Sequence, residues 1–337
     1  MRLAGDIMKG KNKMKTITKL IYAAFTVVSL ALGAVTANGA LNDLFVSING
    51  DGSNGGGSIN EYTPTGVQSL FASGLSGPRG VAFDHFGNLF VANNFFDDPS
   101  QMFQGTIIKI APDGVQSLFV TIAGNVVLEG LAFDHASNLF VIVVDANDLH
   151  SASSIYKITP SGVQSTFGTL PFLSLGLAFD SAGNLFAATV GDPTVANSAA
   201  IYKFTPDGTR SVFADQSAFG DFNGPAGLAF DRFGNLFAST EAATPAGTDT
   251  VLKFTPNGVG SPFATDLDWP RGLAFDRSGN LFVAERGAFA PPGDVLKFTP
   301  DGNSTVFAPE LDDPQFLAFQ LLPTPRPRPT PHPRPNH

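Results

Sequence analysis

The stretch Pro78-Arg-Gly-Val-Ala-Phe-Asp-His-Phe-Gly-Asn-Leu-Phe-Val-Ala-Asn93 decides the fold, because the chain repeats it. Its Gly-x-Ala-Phe-Asp portion returns at Gly130, Gly176, Gly227 and Gly272, and a degenerate copy ends the series as Phe316-Leu-Ala-Phe-Gln320. Asn-Leu-Phe follows at Asn88, Asn138, Asn184, Asn235 and Asn280. A third segment ends at Pro64, Pro112, Pro160, Pro206, Pro256 and Pro300, and a fourth comes next, as in Val67-Gln-Ser-Leu-Phe71. Each segment is short, rich in Val, Ile, Leu and Phe, and bounded by Gly, Asn, Asp or Pro, which is the signature of a β-strand. Four strands in a unit of 44 to 51 residues describe the blade of a β-propeller.

Working outward, the two chain ends fit one ring. Asp43-Leu-Phe-Val46 matches a second strand with no first strand before it, and residues 316–320 supply that missing strand. The sequence therefore predicts an all-β, six-bladed propeller over residues 41–322, closed by the C-terminal strand completing the N-terminal blade. Closure of this kind leaves no long free sheet edge at the joint. The 32 Phe against one Trp and four Tyr fit one motif copied many times.

The flanks read differently. Lys9, Lys11, Lys13, Lys15 and Lys19 precede the apolar run Leu20 to Val35 and the small residues Ala37 and Ala40, the order of a signal peptide over residues 1–40. Export is expected, to the periplasm, the cell surface or the medium, with no membrane span after cleavage. Residues 323–337 alternate Pro with Thr, Arg and His and predict a disordered, polyproline-like tail. Cysteine is absent, which excludes disulfides and thiolate chemistry. Between the flanks, 11 Lys and Arg against 28 Asp and Glu leave a charge of −17. Such a body repels nucleic acid, so the expected partners are a small molecule, a glycan or a protein, and the expected state is a monomer.

Turns sort the molecule into two faces. First-to-second connections such as Asp84-His-Phe-Gly-Asn88 and third-to-fourth connections such as Pro112-Asp-Gly114 are short and regular, and the face they form reads as purely structural. Connections on the other face vary, among them 94–104, 144–153 and 286–293, and variable loops on a rigid scaffold are where binding concentrates. The repeated Lys109, Lys157, Lys203, Lys253 and Lys297 read as a solvent-facing strand position.

The unit Pro78 to Asn93 resembles the NHL repeat, and it is similar to the six-bladed propellers of the gluconolactonase and senescence-marker-protein superfamily and to streptogramin lyases. The resemblance covers residues 41–320. It implies a divalent metal in the central funnel, held by Glu, Asn and Asp side chains at or next to the position just before the Gly of each first strand. Here those positions hold Arg79, Glu129, Leu175, Ala226, Arg271 and Gln315, so the implied ligand set is not reproduced. The lyase resemblance implies a histidine base, and of His85, His135, His150, His332 and His337 only His150 falls on the variable face.

Two sets of candidates follow. Arg79, Glu129, Arg271 and Gln315 break the repeat at the axis, with Asn93 and Glu285 ending second strands toward the same funnel; they form the predicted ligand site, or an axial network in which Glu129 and Glu285 neutralise the arginines. Asp97 and Asp98, Asp145 and Asp148, together with Glu129, are the candidate ligands for Ca²⁺ or another divalent cation; the other reading of those loops is a solvated acidic face. The sequence favours a binding or scaffold module, with a metal-dependent lactonase, hydrolase or lyase of altered ligands as the alternative.

Overall fold

A computed structural model describes residues 42–320 apart from 51–52, 98–99, 149–150, 193, 221–222, 243–248 and 288–291. The expected leader and tail, together with Asp98 and His150, lie outside the described residues. Six four-stranded antiparallel sheets are present, joined in chain order and closed as predicted. Blade one takes its first strand, Pro314–Phe319, from the C-terminal side and its others from Leu44–Ile48, Gly57–Tyr62 and Gln68–Leu75. Blades two to six open at Val81–Phe83, Val126–Phe133, Ser174–Phe179, Asn223–Phe230 and Pro270–Phe275. Among the described residues no helix is long and apolar enough to cross a membrane.

Six apolar clusters hold the blades, one at each junction between neighbours, including the junction of blades six and one. Second-strand Phe45, Phe90, Phe140, Phe186, Phe237 and Phe282 organise them. Each meets the fourth-strand Phe of its own blade and the first-strand Phe of the next edge-on, as Phe90 does with Phe119 at 5.0 Å and Phe133 at 5.1 Å. Edge-to-face pairs add about 0.5–1.5 kcal/mol each beyond the area they bury. This threefold column accounts for 18 of the 32 Phe in the chain.

The regular turns obey the expected chemistry. Asp84 Oδ1 accepts the N–H groups of Phe86 and Asn88, and Oδ2 accepts Asn88 Nδ2 at 2.7 Å; the same Asp–Asn clasp recurs at Asp134, Asp180, Asp231 and Asp276. Four of these turns place Gly at positive φ, whereas blade three forces Ser137 to 64°.

Two expectations need correcting. The lysine column does not point freely into water: each ammonium lies 5.4–5.8 Å from the centroid of a second-strand Phe and each side chain is half-buried. The long aliphatic stem covers the ring while the charge stays at the surface. The variable connection 94–104 is largely a hairpin, with Leu89–Asp97 pairing Met102–Ile110 to their ends.

Candidate functional site

The first strands crowd together at the axis, and glycine makes that possible. A side chain at Gly80, Gly130, Gly176 or Gly227 would overlap the carbonyl oxygen of Glu129, Leu175, Ala226 or Arg271 in the next blade. The residue just before each glycine is thereby drawn to the rim of the funnel. Leu175 and Ala226 make one side of that rim apolar and buried, while Arg79, Glu129, Arg271 and Gln315 make the other side polar.

The polar residues form one network across blades. Gln315 Oε1 accepts Arg79 Nη1 at 2.7 Å and Arg271 Nη1 at 2.9 Å, and its amide donates to Asp313 Oδ1 at 2.6 Å. Arg271 is held two-pronged by Glu241, Nε to Oε1 at 2.7 Å and Nη2 to Oε2 at 3.2 Å. Burial works against the charge of Arg271, but Glu241, with Glu129 and Asp313, outweighs it and raises the guanidinium pKa. Arg286 Nε meets Asp313 Oδ1 at 2.7 Å, and Arg286 with Asn49 holds the Asp313 carboxyl below its ordinary range against the opposing effect of burial.

Two members are left with unused capacity. Among the described residues Arg79 makes a single side-chain hydrogen bond and no ion pair within 4.0 Å. Burial lowers its pKa from the ordinary value, with Glu129 pulling the other way. Glu129 is 5% exposed, and its Oε2 has no hydrogen-bond partner and lies 4.0 Å from Arg271 Nη1. An acceptor and a partly exposed guanidinium thus face the funnel from neighbouring blades.

The expected network is present, but its carboxylates differ from those predicted. Glu241 and Asp313 engage the arginines; Glu285 instead accepts the Asp268 N–H at 2.9 Å and forms no ion pair among the described residues. Asn93 is spent within its own blade, accepting Ser76 N–H at 2.7 Å and donating to Thr106. The position one residue later does cross to the next blade: Asn94 bonds the backbone of Leu128, and Glu241 binds Arg271. Successive strand residues face opposite sides, so taking the strand end one residue early exchanges the faces.

Two serines also escaped notice. Ser47 and Ser239 are fully buried and donate to the carbonyls of Arg79 at 2.7 Å and Arg271 at 2.8 Å. The repeat column that holds them reads Ser47, Ala92, Ile142, Ala188, Ser239 and Ala284, so serine occurs only in the blade preceding each arginine. That coincidence is legible in the sequence itself.

The axial residues do not fit a divalent cation. One carboxylate, and an amide oxygen already accepting from two guanidiniums, make no shell for a hard ion. Asp97, Asp145 and Asp148 end or follow second strands of blades two and three, and Asp145 accepts from Asn147 at 2.9 and 2.6 Å. Among the described residues no three His, Asp or Glu side chains are grouped to hold a metal.

Solved structures place the architecture. The periplasmic gluconolactonase of Pseudomonas aeruginosa matches with a TM-score of 0.54 at 13% identity, covering 84% of this chain and 100% of its own. The likeness is one of fold: this chain is a six-bladed β-propeller. A Bacteroides caccae protein of unknown function matches with a TM-score of 0.53 at 12% identity, over 83% of this chain and 99% of that one. A PQQ-bound aldose sugar dehydrogenase from Streptomyces coelicolor gives 0.53 at 12% identity, over 71% and 87%. No protein-family model and no curated sequence matches the chain.

The uniform end of the propeller is less featureless than predicted. A cavity of about 550 Å³ opens there among Phe83, Phe133, Phe319, His85 and His135. His85 Nδ1 lies 2.9 Å from Ser137 Oγ, so the substituted turn of blade three is tied to that of blade two. The aspartates in its wall are already committed to their clasps.

Proposed function

We propose that the protein is an exported, monomeric binding propeller whose funnel holds a small hydroxylated carboxylate, such as a sugar acid. The observation that carries this reading is Arg79, a half-buried guanidinium with one side-chain hydrogen bond among the described residues, beside Glu129, a buried carboxylate with an unmatched oxygen. A guanidinium fork matches a carboxylate, and the Glu129 oxygen calls for a hydroxyl donor, so one ligand carrying both groups satisfies both residues. The −17 body disfavours polyanions and nucleic acid, which leaves singly charged ligands. Export rests on the charged, apolar, small order of residues 1–40.

Titrating the full chain with D-gluconate, with glucose as the uncharged control, tests this by calorimetry. Gluconate binds and glucose does not, and Arg79→Met weakens gluconate at least about tenfold, the worth of a charged hydrogen bond. Absence of gluconate binding ends the proposal. Glu129 also keeps an enzymatic reading in view, because a buried, unmatched carboxylate is a potential acid or base. Lactone hydrolysis that Glu129→Gln abolishes would put that reading first.

A further inference from the structure

The first-to-second turns of blades five and six border a cleft at the uniform end. The residue after each clasp aspartate reads His85, His135, Ser181, Arg232 and Arg277, so among the five regular turns only these two neighbours both carry arginine. Arg232 and Arg277 line a cavity of about 220 Å³ together with Lys253 of blade five. Phe237, Phe263 and Phe275 give that cavity its apolar lining, with Phe237 meeting the other two edge-on at 5.0 and 4.9 Å.

The three cations have no carboxylate of their own. Among the described residues none of them makes an ion pair within 4.0 Å, and neither arginine side chain makes a hydrogen bond. Asp231 and Asp276, the acidic residues of the same cleft, commit their oxygens to their own clasps. One net positive charge thus collects there, in a body of −17. Phe233 is an independent sign. It lines the same cleft yet is 71% exposed, the most open of the large apolar side chains described, and the Arg232 guanidinium lies 4.7 Å from its ring centroid. Apolar surface therefore runs from buried Phe237 out to solvent, with cations beside it, a pattern that marks ligand sites more than plain surface.

We propose that this cleft binds an aromatic ring bearing one acidic group, a ligand of the aryl carboxylate class. The guanidiniums of Arg232 and Arg277 offer planar forks of N–H donors that match a carboxylate, and the Lys253 ammonium adds charge. The ring packs on the phenylalanines, as aromatic side chains do on one another. A cavity of about 150 Å³ admits benzene, so this one has room for a ring and its acid. A single negative charge also suits the acidic body, which repels polyanions. The cleft lies at the opposite end of the propeller from Arg79 and Glu129, and the proposal does not depend on what the funnel holds.

The test is calorimetric titration of the full chain with 1-naphthoate, with 1-naphthalenemethanol as the uncharged control. Naphthoate binds saturably, and the alcohol binds at least about tenfold more weakly; Arg232→Ser and Arg277→Ser each weaken naphthoate by a similar factor. Serine holds this position in blade four, so the turn tolerates it. Arg232→Gln and Arg277→Gln, longer and uncharged, answer in place of any serine variant that melts early. Phe233→Ala, which gives blade five the alanine of blades three and four, weakens naphthoate roughly threefold. Absence of saturable naphthoate binding overturns the proposal. So does binding undiminished when both arginines are replaced, or binding that Arg79→Met removes, since the ligand then sits in the funnel.

Discussion

The two ends of the propeller axis are built from the same strands, and they bond in opposite ways. At the uniform end, each Asp–Asn clasp closes within its own turn, as Asp180 does with Asn184. At the variable end, Glu241, Arg271, Gln315 and Arg79 bind in series across blades five, six, one and two. A bond that closes within one repeat can be copied with it. The bonds of Gln315 to Arg79 and Arg271 join blades at one repeat position and need unlike residues there, so exact copying would destroy them. Broken repetition therefore marks where the ring acts as a whole.

The largest effect expected from this contrast is at Glu241. Its side chain and that of Arg271 are 13% and 7% exposed, and removing one partner of a buried pair strands the other. Glu241→Ala should cost about 3–5 kcal/mol in denaturant unfolding, while the paired replacement Glu241→Gln with Arg271→Met recovers most of it. A cost below about 1 kcal/mol would mean that the blades are not coupled through the rim.

A clasp should cost less, and the cost should not depend on the blade. Asp180→Ala removes a carboxylate that accepts two backbone N–H groups and an amide, with an expected loss of about 2 kcal/mol. Asp231→Ala should match it within error. Unequal losses would show that the uniform end is coupled between blades as well. Blade three is the informative exception, because Ser137 takes the positive φ that glycine holds elsewhere.

Six blades and their closure were legible because they rest on local signals: strand composition, turn residues and one repeat period. The polar rim was legible as a place, since Arg79, Glu129, Arg271 and Gln315 interrupt a column that should be uniform. Its pairing was not. Glu241 stands one residue beyond the strand end inferred from composition, and in a strand that single step selects the other face. The lysines were misread for a related reason. Alternation shows that they leave the plane of the sheet, but not that a neighbouring Phe lies beneath them. The serines behind the arginines were readable in their column and were overlooked because each is unremarkable within its own blade.

Adjacent residues at the variable end sharpen the contrast last and least. Arg286 gives its charge to Asp313 across the blade junction, and Glu285 beside it receives none. Burial raises the Glu285 pKa to about 7, with Asp294, Asp268 and Asp249 adding to the rise and the Asp268 N–H partly offsetting it. The folded value thus exceeds the unfolded value near 4.5, so the folded protein binds more protons between the two. The stabilising contribution is complete below about pH 4.5 and is lost as the pH climbs through 7. Discounted for solvent screening of a half-exposed group, it amounts to about 1–2 kcal/mol. Glu285→Gln keeps an acceptor for the Asp268 N–H, and it should flatten the stability profile over this window and stabilise the protein above pH 7. An unchanged slope in the variant would place the titrating group elsewhere and leave the isolation of Glu285 from Arg286 without consequence.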